Sequence, residues 1–197
     1  GNNISIDDLL KELTSVPENA NEKSPDFGAM KLDDLTHYIE SFHHKYTSES
    51  ISFIKIHINK LVLVHRINHP ELGRIKMLFD DISDHLTIHM KREELMLFPY
   101  IRKIVRAGKD AVGSAVFRTV ENPISALIDD HDVEGERFRR LHNLTNHYTV
   151  PPDGCNTFKA TYAAMKELET DLHIHIHLEN NILFPKAVAL ENEYRSN

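Results

Sequence analysis

Apolar residues recur along this chain three and four positions apart, in long stretches separated by short clusters of Pro, Gly, Asn and Asp. That spacing lines one face of an α-helix, and no stretch shows the strict alternation of a half-buried strand. The pattern predicts four long helices. The first runs from about Leu32 to His65 and stops at Asn68-His69-Pro70, where the proline disfavours helix in the residue before it. The second runs from about Glu71 to Val105 and ends near Gly108. Pro99 lies inside it and predicts a kink. Gly108 to Asn122 has no clear period and leaves room for a short helix. The third helix runs from about Pro123 to His147, with proline in its first turn. Pro151-Pro152-Asp153-Gly154 is a turn, and the fourth helix follows from about Thr157 to Glu191 with Pro185 inside it. A short helix is expected over Ile6 to Leu13, and the polar stretch Pro17 to Met30 reads as a linker. Two helical hairpins with short turns make an all-α, up-down four-helix bundle over residues 31–197, preceded by a short N-terminal helix and linker over residues 1–30.

Composition narrows the class. The 197 residues are 41% hydrophobic and 27% charged, which excludes a disordered or collagen-like chain. The net charge of −7 argues against nucleic acid or an anionic membrane as the main partner, since either needs a basic face. No apolar run approaches the roughly 18–20 residues that span a bilayer. The first residues lack the basic-then-apolar pattern of a secretory signal. Cys155 is the only cysteine, so no intrachain disulfide forms and a reducing compartment is expected. The count that changes the picture is 14 histidines beside 30 acidic residues and one cysteine, which suits a nitrogen/oxygen metal site rather than a thiolate one.

An internal repeat locates that site. His89-Met-Lys-Arg-Glu93 is followed by Leu97-Phe98-Pro99, and His175-Ile-His-Leu-Glu179 by Leu183-Phe184-Pro185, with identical spacing. His and Glu four apart share one helical face. In the second helix they continue the apolar stripe Ile75, Leu78, Ile82, Leu86; in the fourth they continue Met165, Leu168, Leu172. Both glutamates therefore fall where a core residue belongs, and a bound cation removes the cost of burying them. The other two helices supply matching histidines. His44 and His89 are 45 residues apart about the first turn, and His131 and His175 are 44 apart about the second. Each pair faces across its own hairpin, roughly 30 Å from the turns. Ile124, Leu127 and Ile128 lead inward to His131. In the first helix His43 follows Leu35 and Ile39 in phase, whereas His44 leads in phase to Ile51, Ile54, Ile58 and Leu61; His44 is the favoured ligand and His43 a neighbour in support.

Four imidazoles and two carboxylates are too many for one zinc. Two metals bridged by Glu93 and Glu179 use all six, with room for an oxo or hydroxo bridge and an open position on each ion. Imidazole with carboxylate suits iron or manganese. His85 and Asp130, beside His89 and His131, are candidates to support the ligands. His37, His57, His65, His69, His142 and His147 read as surface, capping or satisfied core residues. No catalytic side chain is assigned.

At these residues the sequence resembles the repair-of-iron-centres di-iron proteins, a branch of the hemerythrin-like fold. The likeness runs from about Leu32 to the C-terminus. It is carried by His43-His44, His89 through Glu93-Glu94, His131-Asp132, His175 through Glu179-Asn180-Asn181, both Leu-Phe-Pro pieces, and the Val150 to Cys155 turn. The resemblance implies His44, His89, His131 and His175 as terminal ligands of two non-haem irons, with Glu93 and Glu179 bridging. It implies a cytoplasmic protein that protects or restores iron–sulfur clusters damaged by nitric oxide or oxidants. Its partners would be apo or damaged iron–sulfur proteins, with nitric oxide or dioxygen as small ligands. The mechanism would be iron donation, nitric oxide binding, or a nitric oxide reductase-type reaction. The alternative is a hemerythrin-like binding or sensing module without turnover. Two departures bear on this choice. Oxygen-carrying hemerythrins place a fifth histidine one turn after the third-helix ligand, where this chain has Gly135, and use His-x4-Asp where this chain has His-x3-Glu. Family members also often carry an N-terminal domain with a Cys-Cys pair, and the first 30 residues are expected to be the tail of such a domain, truncated or naturally short.

Overall fold

The computed structural model describes residues 25–112 and 116–196. The expected helix at Ile6 to Leu13, and most of the linker, lie outside the described residues. Helix α1 combines an α-helical Leu32–Tyr38, a wider π turn at Ile39–His44, and an α-helical Lys45–His65. Helix α2 runs through Glu71–Arg92, a π turn at Glu93–Leu97, and Phe98–Ala107, and a 3₁₀ turn follows at Gly108–Ala111. Helix α3 is Glu121–Leu144 without interruption. Helix α4 runs through Asn156–Leu178, a π turn at Glu179–Leu183, and Phe184–Ser196. The α1 pattern packs against α2 and α4, and α2 against α3, in the expected up-down bundle. Among the described residues there is no strand, and no helix is long and apolar enough to cross a membrane.

The prolines within α2 and α4 act through the π turns. Pro99 and Pro185 have no N–H to return to the preceding turn. Directly before each, the N–H of Phe98 reaches back five residues to the carbonyl of Glu93, and that of Phe184 to Glu179. The wide turn absorbs one extra residue, and the helix continues. Helix α3 ends earlier than its apolar pattern suggests, because Asn146, His147 and Tyr148 all take positive φ, at 48°, 59° and 58°. Such backbone costs roughly 1–2 kcal/mol per residue. The Thr145 hydroxyl offsets part of this by accepting the Tyr148 N–H at 3.1 Å, beneath the buried Tyr148 ring.

The apolar core is divided in two. One cluster fills the turn-proximal half with Ile54, Ile58, Ile75, Phe79, Phe138, Phe158 and Leu168 among others. The other fills the far half with Leu35, Ile39, Leu97, Phe98, Leu127, Leu183 and Phe184. The buried His44, His89, Glu93, His131, His175 and Glu179 occupy the level between them. Ile128, expected to point inward, is instead 37% exposed, one residue past the buried Leu127.

Buried Glu191 pins the far end. It accepts hydrogen bonds from the Tyr100 hydroxyl at 2.5 Å, the Thr119 hydroxyl at 2.7 Å and the Val120 N–H at 3.1 Å, so it ties α4 to α2 and to the start of α3. Burial alone would raise its pKa, but these donors hold it below the usual carboxylate value. A carboxylate lowered in this way stabilises the fold above its unfolded pKa and loses that contribution as pH falls through the folded one. Glu191→Gln is expected to cost about 1–3 kcal/mol at neutral pH and to flatten the loss of stability on acidification, read from urea unfolding at pH 7 and pH 3.

Candidate metal centre

Each long helix delivers one histidine to the polar level, and the repeat adds a glutamate from α2 and from α4. Three of the four helices carry a π turn there, and Glu93 and Glu179 each open one. The π turn in α1 explains its two competing phases. Upstream of the extra residue, Leu35 and Ile39 face inward in step with His43; downstream, Ile51, Ile54, Ile58 and Leu61 face inward in step with His44. Both histidines are buried as a result, and they do different things.

The six side chains form two groups that share both carboxylates. In the first, His44 Nε2 lies 3.3 Å from Glu93 Oε2 and His175 Nε2 lies 3.0 Å from Glu179 Oε1. In the second, His89 Nε2 lies 3.3 Å from Glu93 Oε1, and His131 Nε2 lies 3.2 Å from Glu179 Oε2. His89 and His131 bring their Nε2 atoms within 3.0 Å of one another. Within each group the donor atoms all lie within 4.8 Å of one another. The histidines therefore group across hairpins, α1 with α4 and α2 with α3, although each hairpin sets its two at one height.

This arrangement fits bound cations. Ligand atoms sit about 2.1 Å from a first-row ion, which leaves neighbouring donors on one ion about 3 Å apart. Both oxygens of Glu93 and of Glu179, with Nε2 of His44 and of His175, are buried and have no hydrogen-bond partner. Two carboxylates at 0% exposure are costly unless positive charge lies against them. The imidazoles respond to that demand. Burial would lower the His89 pKa, but Glu93, Glu179 and Asp130 push it up to about 9. His44 is likewise raised, against burial, by Glu93, Glu179 and Glu94. Burial would raise Glu179, and His175 with His131 hold it well below its ordinary value. Imidazolium protons or a metal can supply the charge.

The outer nitrogens are oriented by neighbours. His44 Nδ1 donates to Glu94 Oε1 at 3.0 Å, and His131 Nδ1 to Asn180 Oδ1 at 2.9 Å. Glu94 and Asn180 each directly follow a glutamate of the repeat, so each helix carries a ligand-type residue and then the support for a neighbouring helix's histidine. Sequence reasoning named them only within the family likeness; their equivalent repeat positions were the available signal. His43 stacks on His175, with ring centroids 5.5 Å apart, and its Nδ1 donates to Asp171 at 2.9 Å. Asp171 gave no sequence signal. Asp130 pairs with Arg92 at 2.6 Å and lies 3.6 Å from His89 Nδ1, beside the centre but beyond a hydrogen bond. His85 is 52% exposed and stands 3.7 Å from buried Glu134 rather than at the cluster. Gly135 stands one turn after His131, and a Cβ added there would meet no atom within 4 Å.

A four-helix bundle that gathers four imidazoles and two carboxylates at one buried level defines a helix-bundle metal-binding protein. The chain belongs to the hemerythrin HHE cation-binding domain family, whose model matches residues 41–187. It is 35% identical over 186 residues to the iron-sulfur cluster repair protein YtfE of Musicola paradisiaca, covering 92% of this chain and 75% of that one. It is 32% identical over 189 residues to YtfE of Salmonella newport, covering 95% and 80%. It is 27% identical over 185 residues to the iron-sulfur cluster repair protein ScdA of Staphylococcus epidermidis, covering 94% and 80%.

Proposed function

We propose that this chain is a non-haem di-iron protein that repairs or protects iron–sulfur clusters damaged by nitric oxide or oxidants. The observation that carries the reading is the sharing of Glu93 and Glu179, each with one oxygen in either donor group. The names of the relatives supply the repair role. In this reading His44 and His175 would hold one iron and His89 and His131 the other, with Glu93 and Glu179 placed to serve both. The bundle over residues 31–197 is the functional unit and works in the cytoplasm on apo or damaged iron–sulfur proteins.

Bound iron would supply redox chemistry, affinity for nitric oxide, and a store of transferable ions. The chain's own part is positional. Glu93 and Glu179 balance charge and fix the spacing of the two groups. Glu94 and Asn180 fix the tautomer and ring angle of His44 and His131, so that Nε2 faces inward. The flanking apolar clusters keep bulk water from the level of the site. Gly135 supplies no fifth imidazole, so the centre would have one protein ligand fewer than an oxygen carrier, which favours donation or turnover over simple carriage.

The test is metal content of protein purified without a histidine tag, followed by transfer to an apo iron–sulfur protein in the presence of a weak chelator. Near two irons per chain, with cluster restoration, is the expected result. One zinc, or no metal after iron-replete growth, overturns the di-iron reading. Reversible nitric oxide or dioxygen binding without restoration makes the protein a binding module instead. Glu94→Ala and Asn180→Ala are each expected to weaken metal affinity about 10–100-fold in chelator competition. His57→Ala should leave it unchanged, because the His57 ring is bonded to its own helix at the Phe53 carbonyl.

A further inference from the structure

At the base of the bundle, far from the metal level, the two hairpin turns present ionisable side chains to each other. His69 lies in the first turn, between α1 and α2, and Asp153 in the second, between α3 and α4. The His69 N–H fixes the first turn by donating to the His65 carbonyl at 2.8 Å. The second turn is wound so closely that a Cβ on Gly154 would come within 2.5 Å of the Val150 side chain and 2.9 Å of the Pro151 carbonyl oxygen. Two defined backbones thus hold the His69 ring against the Asp153 carboxylate.

Each nitrogen of that ring meets a carboxylate. Nδ1 lies 3.0 Å from Glu71 Oε1, and Nε2 lies 3.1 Å from both oxygens of Asp153. A carboxylate only accepts hydrogen bonds, and a neutral imidazole carries a single N–H. Both contacts therefore exist together only when the ring is an imidazolium. Burial would lower the His69 pKa, but Asp153 and Glu71 raise it above the ordinary 6.5, and His69 in turn holds Asp153 below its ordinary value. The other groups around the ring are His65 of α1, with centroids 6.1 Å apart, and Cys155, Phe158 and Tyr162 at the start of α4. Burial and Glu71 push the Tyr162 phenol up, so Glu71 and Asp153 are the carboxylates that face His69. The ring also covers apolar core: it meets the fully buried Phe158 edge-on at 5.5 Å between centroids, beside His65 at 5.8 Å. A second polar link between the turns, His65 Nε2 to Cys155 Sγ at 3.3 Å, is weak, because a thiol is a poor hydrogen-bonding group.

We propose that His69, as an imidazolium held between Glu71 and Asp153, is a proton-operated clasp that locks the two hairpins together at the base of the bundle. The clasp is independent of the metal reading. Removing its proton leaves one N–H for two acceptors. Glu71 is two residues away in the chain and keeps it, and Asp153 on the other hairpin is released. Because the folded pKa of His69 is raised, its contribution is complete below the unfolded value and is lost as pH rises through the folded one. Asp153 sets the lower limit: its pKa is depressed, so its contribution is present above the unfolded value and is lost as pH falls through the folded one. The turns are locked between these limits and part on the alkaline side.

The test follows the His69 ring resonances by NMR from pH 5 to pH 9 in the whole chain and in Asp153→Asn, with melting temperatures of both at pH 6 and pH 9. The base lies roughly 30 Å from the metal level, so these resonances stay sharp whatever the site holds. In wild type the ring is expected to titrate above pH 6.5, and in Asp153→Asn closer to that value. The variant should melt about 2–4 °C below wild type at pH 6, and the gap should shrink at pH 9. A wild-type midpoint at or below the ordinary histidine value overturns the clasp without any variant. So does an equal midpoint in the two proteins, or a melting difference that is the same at both pH values.

Discussion

Glu93→Ala is expected to lower bound metal from two ions per chain to one or none, and Glu179→Ala to do the same. Each carboxylate places one oxygen 3.0–3.3 Å from an imidazole in one group and its other oxygen at a like distance in the second. Deleting either therefore removes a donor from both groups at once, which no single histidine substitution does. The fold should survive, because each variant removes a buried charge and leaves both apolar clusters intact. Metal analysis, with circular dichroism as the folding control, reads the result. Two ions per chain retained in both variants would rule out the bridging assignment.

The second large effect is on stability. Stripping the metal with a strong chelator is expected to lower the melting temperature by about 8–16 °C. Binding at a free-ion concentration about 1,000 times the Kd adds about 4 kcal/mol, and each kcal/mol moves the midpoint by about 2–4 °C in a chain of this size. The shift should vanish in Glu93→Ala if that variant binds nothing. Scanning calorimetry of loaded and stripped protein measures it, and coincident transitions would remove the metal's role as a cross-link between helices.

Much of this was readable in the sequence. Helix α1 spans the predicted Leu32 to His65, since Pro70 and the start of a strong apolar period mark its limits unambiguously. The six-residue cluster was legible because the repeat puts His and Glu in register with core positions, where only a buried polar role makes sense. The grouping of histidines into pairs was not legible. Turn symmetry fixes height along the bundle, but which helices face one another across the axis depends on packing. The π turns were also invisible as such, although their traces were present: the prolines suggested kinks, and the competing phases of His43 and His44 marked an inserted residue. The support residues Glu94 and Asn180 depend on side-chain reach between helices, and so does the His43–Asp171 pair.

The polar level has a mechanical consequence. Because it separates two apolar clusters, the bundle is two cooperative blocks in series, joined by four helical rods and by whatever holds the six side chains together. Two metal ions bound there, as proposed, would act as a rivet at that joint. With the rivet in place, opening one block would strain the other; without it, the far block would be freer to open on its own and expose the site along its edge. Under the proposed iron-donation reading, release would require no permanent channel, only the loosening that loss of the first ion would begin.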